Sequence, residues 1–112
     1  MTTLSTHVLD LARGGPAPEV AVTLEHLSGE TWTVLHHART NADGRVPALL
    51  PPGAPDSGTF RLTFHTAAYF ASTGTTGFYP FVPIVFHVGR PGEHYHVPLL
   101  LGPYGYSTYR GS

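Results

Sequence analysis

The residues best suited to chemistry in this sequence are its histidines. Eight histidines stand beside six arginines, and the sequence contains no lysine and no cysteine. Histidine is the side chain that exchanges protons near neutral pH. The missing residues exclude Schiff bases, thiolate nucleophiles, disulfides and sulfur metal ligands. Any catalysis must therefore rest on histidine, serine, tyrosine, arginine or carboxylates.

The most distinctive local pattern is His94-Tyr95-His96. In a strand, this spacing places both imidazoles on one face and Tyr95 on the other. The two histidines could share a metal ion or a substrate, or they could equally form a polar pair that faces solvent. A zinc site needs at least a third protein ligand, which no cysteine can supply here, so we expect no metal and no cofactor.

Three other positions have no clear role when each is read alone. His7 shares a strand face with Ser5 and is typical of a surface histidine. Arg45 directly follows the turn sequence Asn-Ala-Asp-Gly, where a solvated turn residue is the usual case. Residues Tyr109–Ser112 end the chain, where fraying is the default.

Alternating polar and apolar residues predict that most of the chain is β-strand. The predicted strands cover residues 4–9, 20–25, 31–40, 60–65, 81–88 and 95–101, and residues 104–112 could add another. Residues 47–58 are rich in proline and favour an extended loop or an edge strand. The loop Gly89–Gly92 is typical of a hairpin that joins the strands on either side of it.

One segment lacks this alternation and predicts the only helix. It covers Thr66 to Thr73, with Thr66 as a possible N-cap and Gly74 just past the end. Short strands at near-regular spacing with a single helix are typical of an antiparallel sandwich. We therefore predict an all-β, antiparallel two-sheet sandwich with one short helix.

Length and charge limit the partners of this protein. A chain of 112 residues has room for one domain, 1–112. The net charge is −1, so no basic surface for nucleic acid is expected. No charged start precedes an apolar stretch, so we expect neither a signal peptide nor a membrane span, and a cytoplasmic location is the default. We expect spare apolar residues, including Tyr95, Leu99 and Leu101, to be buried against further copies of the chain.

Four segments together carry a resemblance to a known family. They are Leu4-Ser5-Thr6-His7-Val8-Leu9-Asp10, Asp43-Gly44-Arg45, His94-Tyr95-His96-Val97-Pro98-Leu99-Leu100 and Tyr109-Arg110-Gly111-Ser112. In this order they resemble the 5-hydroxyisourate hydrolases, the transthyretin-related enzymes of urate breakdown. The hormone-carrying transthyretins have lysine where His7 stands and lack the Tyr-Arg-Gly-Ser ending.

The resemblance implies a transthyretin-like sandwich assembled as a dimer of dimers, with active sites between the dimers. It also implies that His7, Arg45, His96 and the C-terminal residues Tyr109 and Ser112 converge there. The implied substrate is the small molecule 5-hydroxyisourate, whose six-membered ring opens when water attacks a ring carbonyl. We expect Arg45 to hold substrate oxygens, and His7 and His96 to act on water and the leaving nitrogen, with Tyr109 and Ser112 fixing the substrate or a ring tautomer.

Two other functional classes remain open at this point. A carrier of an aromatic ligand could keep the same sandwich and would not need proton-transfer residues. A histidine-based metal-binding or structural sandwich would fit the excess of histidine, although no full ligand set is visible.

Overall fold

The computed structural model describes all 112 residues and contains ten strands and one short helix. The elements are β1 (Thr3–Asp10), β2 (Gly15–Pro16), β3 (Ala21–Ser28), β4 (Thr31–Arg39), β5 (Arg45–Val46), β6 (Gly58–Phe64), α1 (Thr66–Ser72), β7 (Val82–Val88), β8 (His94–His96), β9 (Leu99–Leu101) and β10 (Tyr106–Thr108). One sheet has the order β4-β3-β6-β7. The other is built around β1, which pairs with β2, β5, β8 and β9, while β10 pairs with β9. The predicted all-β, two-sheet sandwich with one short helix is confirmed.

The two sheets enclose one apolar core because alternate residues of their strands point inward. β1 directs Leu4 and Val8 into this core, which leaves Ser5 and His7 on its other face. Both sheets supply the remaining core side chains, among them Val22, Leu24, Phe60, Leu62, Phe64, Leu99 and Leu101. One face of β1 therefore stabilises the fold, and the other face is free to carry a site.

The loop Gly89–Gly92 does not form the predicted hairpin. β7 belongs to the four-stranded sheet, whereas β8 pairs in parallel with β1 in the other sheet. The loop crosses between the sheets because the strands that flank it cover the core from opposite sides. The Tyr95 hydroxyl holds the crossover by donating to the Arg90 carbonyl oxygen at 2.9 Å and accepting from the Arg90 amide at 3.1 Å.

The strand predicted over residues 95–101 is interrupted. β8 ends at His96 and β9 begins at Leu99, with Pro98 between them. Proline has no amide hydrogen to donate to a neighbouring strand, which explains the break. Both halves still pair with β1, so His96 keeps its place beside that strand.

The helix α1 lies where it was predicted and ends at Ser72, but Thr66 is not its N-cap. His65 occupies the cap position, but its side chain does not form a capping hydrogen bond, and the Thr66 hydroxyl instead donates to the Tyr79 carbonyl oxygen at 2.8 Å. Gly74 follows the helix with a φ of 72°. The Tyr69 hydroxyl ties α1 to β1 by donating to the buried Asp10 carboxylate at 2.7 Å.

The prediction that Tyr95, Leu99 and Leu101 are buried against a copy is wrong. All three lie in the core of their own chain, with 5%, 0% and 1% of their surface exposed. Most of the large exposed apolar residues lie instead just before or in β7 and in or near β10, and they include Phe78, Phe81, Val85, Tyr104 and Tyr106. No helix in the structure has the length and apolar character needed to cross a membrane.

Candidate active site

The candidate active site lies on the face of β1 that points away from the core. His7 stands directly opposite Arg45 in the antiparallel pair of β1 with β5. Ser5 is aligned with His96 in the parallel pair of β1 with β8. Because Ser5 and His7 share a strand face, these pairings bring His7, Arg45 and His96 onto one surface. The sequence alone placed these three residues near one another only through the family resemblance.

The tight turn that precedes Arg45 holds its backbone in place. The Asn41 side-chain oxygen accepts hydrogen bonds from the amides of Asp43 at 2.9 Å and Arg45 at 3.0 Å. Gly44 adopts a φ of 73°, and a Cβ atom there would lie 2.5 Å from the carbonyl oxygen of Val8. Only glycine fits this close approach, so the turn fixes Arg45 against β1.

The C-terminus is anchored beside His96 and does not fray. The Gly111 amide donates to the His96 carbonyl oxygen at 2.8 Å. The two residues form an isolated antiparallel bridge just beyond the pairing of β10 with β9. A Cβ atom on Gly111 would lie 2.5 Å from Cδ2 of the His96 ring. Glycine therefore lets the chain end lie directly against this imidazole, and the exposed Ser112 follows it.

The Tyr109 side chain lies on the side of the tail that faces β7 and Tyr95. Its side chain is 57% exposed and lines a cavity of about 190 Å³ with residues of β7, Tyr95 and Val97. No hydrogen bond joins Tyr109 to His7, Arg45 or His96. Its part in the site stays a prediction.

Ser5 connects the two histidines of the His-Tyr-His pattern. Its Oγ lies 2.7 Å from Nδ1 of His96 and 2.9 Å from Nε2 of His94. Nδ1 of His94 lies in turn 2.6 Å from Oγ1 of Thr3. Both imidazoles are on one strand face, as predicted, and Tyr95 is buried on the other.

Sequence reasoning gave Ser5 no role in the site, and it considered His94 only as a possible partner of His96 on a metal ion or a substrate. The signal was present for Ser5, which precedes His7 by two residues and so shares its strand face. The parallel pairing with β8 supplied the missing link, because it sets Ser5 beside His96. No group of three or more His, Cys, Asp or Glu residues is close enough to hold a metal ion.

The surroundings of His96 favour its neutral form. Burial lowers the pKa of His96, and the nearby charges of Arg45, His7 and His94 lower it further. A neutral imidazole next to a permanent cation can accept a proton from water near neutral pH, while the guanidinium attracts negative charge. The site is therefore suited to proton transfer beside a developing anion.

Comparison with known proteins agrees with this geometry. Residues 4–111 match the HIUase/Transthyretin family over nearly the whole chain. The chain belongs to this family. A 5-hydroxyisourate hydrolase of Salmonella dublin is 50% identical over 109 residues, which cover 97% of this chain and 80% of that protein.

Solved structures of the HIUase/Transthyretin fold superimpose closely on the chain. The Klebsiella pneumoniae 5-hydroxyisourate hydrolase matches with a TM-score of 0.86 and 39% identity, covering 100% of this chain and 94% of that one. Sea bream transthyretin in complex with thyroxine matches with a TM-score of 0.91 and 31% identity, covering 97% and 94%. An (S)-allantoin synthase matches with a TM-score of 0.89 and 39% identity, and this chain spans 44% of its length.

Proposed function

We propose that this protein hydrolyses 5-hydroxyisourate to 2-oxo-4-hydroxy-4-carboxy-5-ureidoimidazoline in urate degradation. The observation that carries the proposal is the surface shared by His7, Arg45 and His96. The two imidazoles can move protons near neutral pH, and the guanidinium stays charged. The 50% identity to a protein named 5-hydroxyisourate hydrolase supports the same reaction.

The proposed reaction is the hydrolysis of a cyclic amide without a covalent intermediate. Water attacks a ring carbonyl, the carbonyl oxygen gains negative charge, and the carbon–nitrogen bond then breaks. Such a reaction needs a base for water, a positive group beside the oxygen and a proton for the departing nitrogen. We assign Arg45 to the oxygen because its planar fork offers paired donors. His7 and His96 together serve the water and the nitrogen.

The C-terminal residues complete the proposed site. Ser112 directly follows Gly111, which lies against the His96 ring. We propose that Ser112 binds substrate or fixes a ring tautomer. We also propose substrate binding for Tyr109, as the family resemblance implies.

The alternative function is a carrier of a small aromatic ligand. The likeness to sea bream transthyretin, a structure that contains thyroxine, favours this reading of the fold. A carrier has no need of a partly buried imidazole that is kept neutral beside an arginine. The site chemistry and the higher identity to a hydrolase therefore favour the enzyme.

We further propose that the protein is a homotetramer and acts in the cytoplasm. The edge strand β7 and the strand β10 leave apolar side chains exposed, among them Val85 and Tyr106. Burying such residues against a copy is favourable, and closed symmetric assemblies are the usual result.

Freshly generated 5-hydroxyisourate provides the direct test of the proposed function. We expect the ultraviolet absorbance of the substrate to decay much faster with the protein than without it. We also expect exhaustive chelation to leave the rate unchanged, because imidazole can activate water without a metal. Decay at the protein-free rate would overturn the hydrolase proposal and favour the carrier. Loss of activity on chelation with recovery on adding zinc would contradict the metal-free mechanism.

Replacing Arg45 by lysine tests the assignment of the oxyanion partner. Lysine keeps the positive charge but loses the planar pair of donors, so we expect turnover to fall by about 10-fold or more. Arg39→Lys is a matched control, because Arg39 is exposed at the end of β4 in the other sheet. Steady-state rates of both variants measure the difference. Equal rates for the two would remove Arg45 from the reaction.

A further inference from the structure

A continuous line of hydrogen-bonding groups runs from the candidate site to the protein surface. It begins at Nδ1 of His96, passes through the Ser5 hydroxyl at 2.7 Å and reaches Nε2 of His94 at 2.9 Å. It then continues from Nδ1 of His94 to the Thr3 hydroxyl at 2.6 Å. Ser5 is buried, His96 is partly buried, and both His94 and Thr3 are exposed. The line therefore joins a sheltered imidazole to a solvated one.

The two nitrogens of His96 have different surroundings. Nδ1 is engaged by Ser5, whereas Nε2 has no hydrogen bond to any protein group. Every buried side-chain nitrogen or oxygen in the structure has a hydrogen-bond partner. Because Nε2 of His96 has none, it must be accessible to solvent. The nitrogen that can meet a bound molecule is thus the one opposite Ser5. A proton taken up at Nε2 can be balanced by one leaving Nδ1.

We propose that Ser5 and His94 form a proton relay that connects His96 to solvent during the hydrolysis. This inference rests on the proposed function. Ser5 and His94 are positioning residues in this relay, since neither is the group that meets the substrate. The serine hydroxyl suits the central place because it accepts from one ring while donating to the other.

The relay conserves protons at every step. As the water oxygen bonds to the ring carbonyl carbon, Nε2 of His96 takes a proton from the water. The Nδ1 proton passes to Ser5, the Ser5 proton passes to Nε2 of His94, and His94 releases one proton to solvent. When the carbon–nitrogen bond breaks, Nε2 gives its proton to the nitrogen, and the relay runs back by one proton. The acid product then ionises, so each turnover consumes one water and releases one proton.

The charges around His96 explain why a relay is useful. The charges of Arg45 on β5 and His7 on β1 act on the His96 ring, and Gly111 on the bridging tail lies against it. Beside His94, Glu93 forms an exposed ion pair with Arg110 at 3.2 Å. A positive charge held on partly buried His96 next to Arg45 is costly, whereas the same charge on exposed His94 is solvated. Moving the proton outward therefore keeps His96 neutral.

Variants at position 94 provide the kinetic test. His94→Gln can still form a hydrogen bond with the Ser5 hydroxyl but cannot take up and release a proton, and His94→Ala leaves room for a small base. We expect kcat to fall by about 10-fold in both, with KM unchanged because His94 does not meet the substrate. We expect added imidazole to restore kcat in His94→Ala and to leave the parent protein unaffected. Parent kcat in both variants, or a loss that imidazole does not repair, would overturn the relay.

The matched control for these variants is His37→Ala. His37 is also exposed and also contacts a threonine hydroxyl, that of Thr23 at 3.2 Å, but it lies in the other sheet. We expect this variant to keep the parent kcat and to show no response to imidazole. A loss in His37→Ala equal to that in His94→Ala would contradict a specific path and overturn the relay.

Nuclear magnetic resonance tests the relay without any substrate. In the parent protein, a change in the protonation of His94 should reverse the hydrogen bonds that pass through Ser5. We therefore expect the ring nitrogen chemical shifts of His96 to show a second inflection at the pH where this change occurs. In Ser5→Ala this second inflection should vanish, and His94→Ala gives the same readout if Ser5→Ala folds poorly. A parent His96 that titrates independently of His94 would overturn the relay. A parent protein that does not open 5-hydroxyisourate would overturn the proposed function alone.

Discussion

Replacing His7 or His96 by asparagine should lower turnover by about 10²-fold or more, because asparagine keeps some hydrogen bonding but exchanges no proton. His7 is half-buried and His96 is partly buried, and both rings lie on the face of β1 that points away from the core. Neither substitution removes a core side chain, so the sandwich should survive. Initial rates with 5-hydroxyisourate measure the loss, and far-ultraviolet circular dichroism checks the fold.

The pH profile distinguishes between the two histidines. Burial and the charges of Arg45, His7 and His94 hold the pKa of His96 below the ordinary value for histidine, about 6.5. At low pH His96 takes up a proton and can no longer act as a base. If His96 is the base, activity should therefore fall only when the pH drops below the ordinary histidine pKa. His96→Asn should then abolish this acid limb, whereas His7→Asn should lower the plateau and keep the limb. The opposite pattern would exchange their roles.

A matched control separates site chemistry from general damage. His37→Asn alters an exposed histidine on the other sheet, and we expect its rate to equal that of the parent protein. If His7→Asn and His96→Asn also opened the substrate at the parent rate, the assignment of both residues would be wrong. The carrier function would then be favoured.

The sandwich could be predicted from the sequence because its strands bury one face each. Alternation in Phe60, Leu62 and Phe64 reports directly which side chains enter the core, and all three are fully buried. The helix was found by the same logic, since Tyr69 and Phe70 break the alternation. Strand partners could not be predicted this way. The loop Gly89–Gly92 has the composition of a hairpin, and composition does not record that it crosses between sheets.

The site was harder to predict because it depends on pairing between distant segments. His7 and Arg45 are brought together by an antiparallel pair, and Ser5 and His96 by a parallel one. The residue pattern of each segment does not show which distant segment it pairs with. The family resemblance supplied the convergence of His7, Arg45 and His96, but it did not indicate that Ser5 links two imidazoles.

The end of the chain shows how a local rule can fail. Terminal residues usually fray because few contacts hold them. Here β10 pairs with β9, the Thr108 hydroxyl donates to the Pro98 carbonyl oxygen at 2.7 Å, and Gly111 bridges to His96. These contacts reach β9, Pro98 just before it, and His96 in β8. The tail is therefore held partly by a strand that carries the site.

Deleting Tyr109–Ser112 should abolish ring opening while leaving the sandwich and its assembly largely unchanged. The deletion removes the bridge from Gly111 to His96 and the proposed contacts of Ser112. It leaves β10, which ends at Thr108, and every residue of the apolar core. Substrate assays measure the loss, and sedimentation with circular dichroism checks assembly and fold.

Two point variants show which feature of the tail matters. Gly111→Ala should also lower turnover strongly, because its Cβ atom would lie 2.5 Å from Cδ2 of His96 and must displace the ring or the tail. Arg110→Ala is the control, since it removes only an exposed ion pair and its contact with Tyr95, and exposed pairs contribute little. We expect Arg110→Ala to keep the parent rate. A truncated protein that still opened 5-hydroxyisourate at the parent rate would show that the terminal residues take no part in the reaction. The proposed site would then consist of His7, Arg45 and His96 without the tail.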